Sequence, residues 1–223
     1  MRTQVAIIGG GPSGLLLSQL LNTCGISTVV AEVPRIRTLT VRAGVLESGT
    51  VELLRKAGAG TRMDRDGIPH DGCLLASNGR MFRVDFEKSC GRRVMVYGQT
   101  EMTGDLYEAQ DQIGATIVHD ADDVALHDLT SDRPYVTFSV GGQQPRLDCD
   151  YIAGCDGFHL VSRKSIPIHA RKEFEKVYPF GWLGILSRTQ PMADELIYAA
   201  MSEASRWLRC VIWRCRATTF RSR

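Results

Sequence analysis

The alternation of apolar and polar stretches is clearest at the start of the chain. Val5-Ala6-Ile7-Ile8 is a short apolar run that stops at Gly9-Gly10-Gly11-Pro12-Ser13-Gly14 and opens at once into Leu15-Leu16-Leu17-Ser18-Gln19-Leu20-Leu21, which predicts strand, tight turn and helix. Ser27 to Ala31 predicts the next strand, and Val33 to Arg42 is a basic connector with a proline and no period. Val45, Leu46, Val51, Leu53 and Leu54 after Gly44 are spaced as one helical face ending near Gly58-Ala59-Gly60. Cys73 to Ala76 and Met81 to Phe86 flank Ser77-Asn78-Gly79-Arg80, and Asn-Gly favours a tight hairpin turn. Arg93 to Tyr97 predicts a strand. Gln99 to Gln112 predicts a helix with Leu106 and Ala109 inward and Gly114 as its stop. Thr116 to His119, Val124 to Leu129, Tyr135 to Val140 and Leu147 to Ala153 read as a small meander beside the first sheet. A helix-like Phe158 to Ser165 follows, then sheet of another character over Val177 to Leu186 and Leu196 to Tyr198. Ala204 to Thr219 has no clean period.

Composition changes this picture in one place. The apolar fraction of 43% and charged fraction of 23% are those of an ordinary globular chain. No run reaches the length of a membrane span, and the chain enters a strand at once, leaving no room for a signal peptide. Both point to a cytoplasmic protein. Seven cysteines, odd in number and scattered, lack a zinc-ligand spacing and read as reduced thiols. The net charge of +2 is uneven: residues 201–223 carry six arginines and one acid, for +5, so the first 200 residues carry −3. That shift marks a boundary. The basic, tryptophan-bearing tail can bind nucleic acid, but a solvated tail is the better reading.

The chemistry sits at the first turn. In G-x-G-x-x-G, Gly9 permits the turn, Gly11 lets the backbone approach a pyrophosphate, and Gly14 lets helix and strand pack closely. The helix start then offers N–H groups and a partial positive charge to the phosphates. Glu32, eighteen residues past Gly14, is placed for a ribose hydroxyl. An ordinary βαβ turn without ligand is the alternative. A second special turn lies at Gly154-Cys155-Asp156-Gly157, where Asp156 can point at a ribose, hold backbone N–H groups, or merely mark a turn.

These residues resemble the aromatic-ring flavin monooxygenases. The resemblance runs from Met1 to about Tyr198 and rests on QVAIIGGGPSGLLL, VRAGVLESG, VYGQTE, RPYVTF, LDCDYIAGCDGFH, YPFGWLG and ELIY. It implies that Gly9, Gly11, Ser13 and Gly14 hold the FAD pyrophosphate and Glu32 the adenosine ribose. Arg42 would contact the FAD diphosphate and influence reduced-nicotinamide binding. Ala43, Gly44 and Val45 would line the flavin cleft, and Gln99 would touch FAD. Asp156 would belong to a second dinucleotide motif whose His159 and Arg163 meet the NADPH phosphates. Tyr198 would be catalytic, helping to ionise a substrate phenol. Read alone, the better readings are a helix cap for Gln99, a surface residue for His159 and a half-buried strand aromatic for Tyr198, since polar caps and aromatics are usually structural. The implied reaction uses NADPH or NADH and dioxygen to convert 4-hydroxybenzoate to 3,4-dihydroxybenzoate through a flavin C4a-hydroperoxide, in a homodimer.

Three departures from the family bear on this. The connector after Glu32 is short, with Thr40-Val41 where an arginine is usual, which touches NADPH against NADH preference. Leu160 replaces a glycine after His159. The resemblance stops near Tyr198, before the family's later glycine-aspartate motif and its substrate-carboxylate clamp, and the tail reads as a reading-frame change. The expectation is a truncated α/β fold. A Rossmann-like FAD-binding domain (βαβ with a small β-meander) would cover 1–72 and 95–175, part of a β-rich substrate domain 73–94 and 176–200, and an unrelated basic tail 201–223. The isolated chain would then turn over little, and a non-catalytic FAD- or nucleotide-binding remnant is the alternative.

Overall fold

The computed structural model describes residues 1–31, 44–158, 160–178, 194–200 and 209–211. The predicted connector 33–42 lies outside these, as does most of the predicted strand 177–186.

The first elements are β1 (Val5–Ile8), α1 (Pro12–Thr23) and β2 (Thr28–Ala31). Both strands are buried on both faces, which is why they read as unbroken apolar runs. Next come β3 (Val45–Leu46) and α2 (Ser48–Lys56). This corrects the single helical face expected from Val45: Val45 pairs with Val96 and Leu46 with Met95, so cross-strand bonding overrides the helical spacing and the helix starts at Ser48. Helix α3 (Thr61–Asp66) and β4 (Ile68–His70) are too short to show a period and escaped the sequence reading. Strands β5 (Gly72–Ser77) and β6 (Arg80–Asp85) form the expected hairpin, with Asn78 and Gly79 at φ of 49° and 71°. Two left-handed residues in succession are what Asn-Gly allows. Phe86, expected in that strand, instead opens α4 (Phe86–Cys90), because Asp85 accepts a hydrogen bond from the Lys88 N–H at 2.9 Å and caps a helix there.

Strand β7 (Val94–Val96) leads to α5 (Gln99–Gln112), which matches its predicted span, with Leu106 and Ala109 buried. Strands β8 (Thr116–Val118), β9 (Asp122–His127), β10 (Tyr135–Ser139), β11 (Arg146–Asp148) and β12 (Tyr151–Gly154) follow. Helix α6 is only Val161–Lys164, shorter than the stretch expected from Phe158. The last elements are β13 (Leu196–Ala200) and β14 (Arg209–Val211). β14 lies where no period was legible, and its strand geometry comes from pairing with β13.

Two compact units emerge: Met1–Thr40, Glu52–Arg65 and Gln99–Glu175 form the first, and Val41–Val51, Asp66–Gly98 and Lys176–Arg223 the second. The first unit holds a parallel sheet in the order β12-β1-β2-β8 and an antiparallel meander β11-β10-β9. Two corrections follow for the meander. β8 belongs to the parallel sheet, and the run Leu147 to Ala153 splits into β11 and β12. The chain changes sheets there: the Cys149 N–H bonds to Pro134 O, whereas the Asp150 and Tyr151 N–H groups both bond to Gln4 O. Alternation of Leu147, Cys149 and Tyr151 with Asp148, Asp150 and Ile152 cannot reveal such a switch, since Leu147, Cys149 and Ile152 all pack into the one core that sheet and meander share. Ala6, Ile8, Val29 and Ala31 pack with Val136, Phe138, Leu147 and Cys149 to form the core between sheet and meander. Ile7 and Val30 point to the opposite face, on the side of α1.

A buried polar seam joins α1 to α5. The Ser18 hydroxyl donates to Gln110 Oε1 at 3.0 Å, and Gln110 Nε2 donates to Leu15 O at 3.1 Å and Gln19 Oε1 at 3.0 Å. The Thr28 hydroxyl lies 2.7 Å from that of Ser18, and Gln19 Nε2 reaches Ala57 O.

The second unit holds a sheet β14-β13-β5-β6 and a smaller one, β3-β7-β4. Cys73, Val96 and Leu196 centre its core, with Val45, Ile68, Val84 and Phe86 packed around them.

Candidate functional site

The glycine turn is held on both sides by neighbouring strands. Gly9 N–H bonds to Ala31 O at 2.8 Å, and Cys155 N–H bonds to Ile8 O at 2.7 Å. Gly9 has φ of 111°, and a Cβ there would lie 2.6 Å from Cys155 O and 2.8 Å from Asp156 Cα. A Cβ on Gly14 would run into the Gly9 carbonyl and sit 3.2 Å from Cys155 Cβ. The two glycine-containing turns, far apart in sequence, are therefore one structure in which no side chain fits at Gly9 or Gly14. Gly11 is the N-cap of α1 in extended backbone (φ −79°, ψ 178°), and the Leu15 N–H bonds to its carbonyl at 3.0 Å. Pro12 stands in the first turn, where its missing N–H costs nothing, and no acid follows in that turn. The N–H groups of Ser13 and Gly14 have no intrahelical partner. A bare backbone cradle, a helix N-terminus without a capping side chain and no carboxylate nearby in the helix fit a pyrophosphate.

One further loop contact was not foreseen. The Tyr107 hydroxyl of α5 donates to Gly10 O at 3.2 Å. Nothing in the sequence marks Tyr107 beyond an aromatic within a predicted helix.

At the second turn, Asp156 is 4% exposed and its Oδ2 accepts a hydrogen bond from the Ser162 N–H at 3.0 Å. Of the roles the sequence left open, the structure shows the carboxylate holding a backbone N–H at the start of α6. Gly154 is forced by the same packing, since a Cβ there would be 2.5 Å from Ser162 Cβ. Arg163 places its guanidinium 3.5 Å over the Phe158 ring, donates to Phe158 O at 3.3 Å and pairs with Glu173 at 3.4 Å. Gln99 is the first residue of α5 and its carbonyl accepts from the Thr103 hydroxyl at 2.7 Å.

In the second unit, a Cβ on Gly44 would meet Tyr97 O and lie 2.8 Å from Gly98 Cα, so glycine is required by close backbone approach. Val45 is bound into β3. Tyr198 lies on β13 between Leu75 and Val211 and is 38% exposed. Glu32, Arg42, Ala43 and His159 lie outside the described residues. The sequence reading also missed a polar clamp at the start of β13. Arg83 donates to both oxygens of Glu195, at 2.7 and 2.6 Å, and this pulls the Glu195 carboxyl below its ordinary range. Buried His70 accepts the Leu196 N–H at Nδ1 (3.2 Å), and burial pushes its pKa down against the opposing pull of Glu195 and Asp71.

A family model described as FAD binding domain matches residues 2–219. The chain belongs to that family. It is 48% identical over 201 residues to p-hydroxybenzoate hydroxylase of Acinetobacter baylyi, an alignment covering 89% of this chain and 50% of that protein. Anhydrotetracycline monooxygenase of Streptomyces rimosus is 31% identical, over 75% of this chain and 33% of its own length. Among solved structures, p-nitrophenol 4-monooxygenase from Pseudomonas putida superposes with a TM-score of 0.63 at 19% identity, over 74% of this chain and 44% of that one. The family description names FAD as what this domain binds, and the two curated relatives are a hydroxylase and a monooxygenase. The chain spans about half the length of the curated relative it matches at 48% identity. Among the described residues, no helix is long and apolar enough to cross a membrane.

Proposed function

We propose that the chain is the FAD-holding part of a hydroxylase that uses reduced nicotinamide and dioxygen to convert 4-hydroxybenzoate to 3,4-dihydroxybenzoate. The observation that carries the reading is the joined pair of turns, where Gly9, Gly14 and Cys155-Asp156 leave room only for backbone in front of the α1 N-terminus. The 48% identity to p-hydroxybenzoate hydroxylase supports the substrate.

When bound, FAD supplies the redox chemistry. The chain's own contributions are specific. The N–H groups of Gly11, Ser13 and Gly14 hold the pyrophosphate, and Glu32 the adenosine ribose. Arg42 and Gln99 add contacts to FAD, while Ala43, Gly44 and Val45 line the flavin side. Asp156 fixes the second turn, and His159 and Arg163 take the phosphates of NADPH or NADH. Tyr198 hydrogen-bonds the phenol and helps draw off its proton, since the phenolate is the better nucleophile. The first unit carries the phosphate cradle, and the second carries Tyr198. A homodimer and a cytoplasmic location belong to the same proposal.

The hydroxylation is assigned to a whole enzyme of the relatives' length. For the 223 residues by themselves we expect flavin binding without turnover. The test supplies purified chain with FAD, NADPH or NADH and 4-hydroxybenzoate in air, and measures 3,4-dihydroxybenzoate by chromatography. Product would refute the expectation for the isolated chain. Lack of flavin binding would favour a remnant that keeps the fold without the cofactor.

A further inference from the structure

The peptide that links Gly10 to Gly11 has glycine on both sides. Glycine at both positions leaves φ and ψ unrestrained by any side chain. The flanking residues are anchored: Gly9 through its N–H to Ala31 O, and Gly11 through its carbonyl to the Leu15 N–H. Between them, the Gly10 carbonyl receives the Tyr107 hydroxyl at 3.2 Å, the one hydrogen bond to that carbonyl among the described residues. Tyr107 comes from α5, a separate element that packs along α1 and is locked to it by Gln110, three residues further on.

We propose that Tyr107 is a positioning residue for the FAD pyrophosphate, acting through the Gly10–Gly11 peptide. The inference rests on the FAD reading above. A trans peptide is planar, and its C=O and N–H point in opposite directions. A donor that holds the Gly10 carbonyl therefore fixes the direction of the Gly11 N–H, one of the groups assigned to the phosphates. The same bond polarises the peptide, making that N–H a stronger donor. The Tyr107 ring, half-buried and 6.0 Å from the His119 ring, gives the hydroxyl a fixed base. No contact between Tyr107 and the cofactor is required. Its effect passes to any ligand with a diphosphate and not to one that lacks it.

The experiment compares the full chain with Tyr107→Phe, which keeps the ring and removes the hydroxyl. Dissociation constants are measured for FAD, ADP and adenosine, and the Gly11 amide is followed by nitrogen-proton NMR without ligand. One neutral hydrogen bond corresponds to about fivefold in affinity. FAD and ADP should weaken by that factor together, adenosine should be unchanged, and the Gly11 amide resonance should move. Tyr107→Leu, which also removes the ring, should weaken ADP at least as much. Tyr107→Phe binding ADP as tightly as the parent chain would overturn the inference and leave the FAD reading standing. Equal weakening of adenosine and ADP would reduce Tyr107 to a general structural contact and overturn it too. A parent chain that binds neither FAD nor ADP would overturn both.

Discussion

Gln110 offers the most quantitative test of how the cofactor unit is held together. Its side chain is fully buried and makes three hydrogen bonds: Ser18 Oγ donates to its oxygen, and its nitrogen donates to Leu15 O and Gln19 Oε1. Gln110→Leu keeps the approximate volume and removes every polar atom. Ser18 can turn its hydroxyl to Thr28, 2.7 Å away, so that donor is not stranded. Gln19 Oε1 and the second lone pair of Leu15 O are stranded in an interior that water does not reach. Each stranded buried group costs about 1–3 kcal/mol, so the substitution should cost about 3 kcal/mol in all. Urea titrations followed by far-ultraviolet circular dichroism would read this as a lower midpoint with an unchanged slope. The double variant Gln19→Leu with Gln110→Leu removes both ends of one bond and should lose less than the sum of the singles, by about 1 kcal/mol. A loss below about 1 kcal/mol for Gln110→Leu, or strict additivity in the double variant, would refute the claim that this seam fixes α5 against α1.

Other substitutions separate cradle from scaffold. Gly14→Ala drives a Cβ into the Gly9 carbonyl and must open the turn, so ADP affinity by titration calorimetry should fall more than about tenfold, well over 1.4 kcal/mol. Gly104→Ala, inside α5, meets only a guanidinium nitrogen of Arg62 at 3.5 Å and should raise stability by about 0.5–1 kcal/mol through helix propensity, with ADP affinity unchanged. For His70, burial depresses the folded pKa below 6.5, so the folded state binds fewer protons than the unfolded state on acidification. Its contribution is present above the unfolded pKa and is lost as pH falls through the folded value. The melting temperature should therefore drop from pH 7 to pH 5, and His70→Asn should flatten that slope.

The sequence made the first unit legible where period and special residues agree. Val5 to Ala31 shows strand, turn, helix and strand because both strands are buried on both faces and the turn admits only glycine at Gly9 and Gly14. The helix from Gln99 to Gln112 was equally plain, its inward stripe and Gly114 stop agreeing. What escaped depended on distant partners. Val45 and Leu46 became strand because Val96 and Met95 lie opposite, and the strand-like stretch from Leu147 to Ala153 concealed a change of sheet. At the site, the glycines announced a phosphate cradle, and the proximity of Asp156 to Gly9 followed only from the pairing of β12 with β1. Tyr107 carried no signal, because a hydroxyl reaching a carbonyl 97 positions away has no local pattern. The Arg83–Glu195 clamp and the His70 acceptor were hidden for the same reason.

The joined turns should form a working FAD cradle. The most direct measurement is the visible spectrum of the purified 223-residue chain after incubation with FAD and removal of unbound flavin. The expected result is flavin absorbance at one equivalent per chain, displaced by excess ADP and lost in Gly14→Ala. A colourless protein whose far-ultraviolet spectrum shows the expected helix and sheet would contradict it.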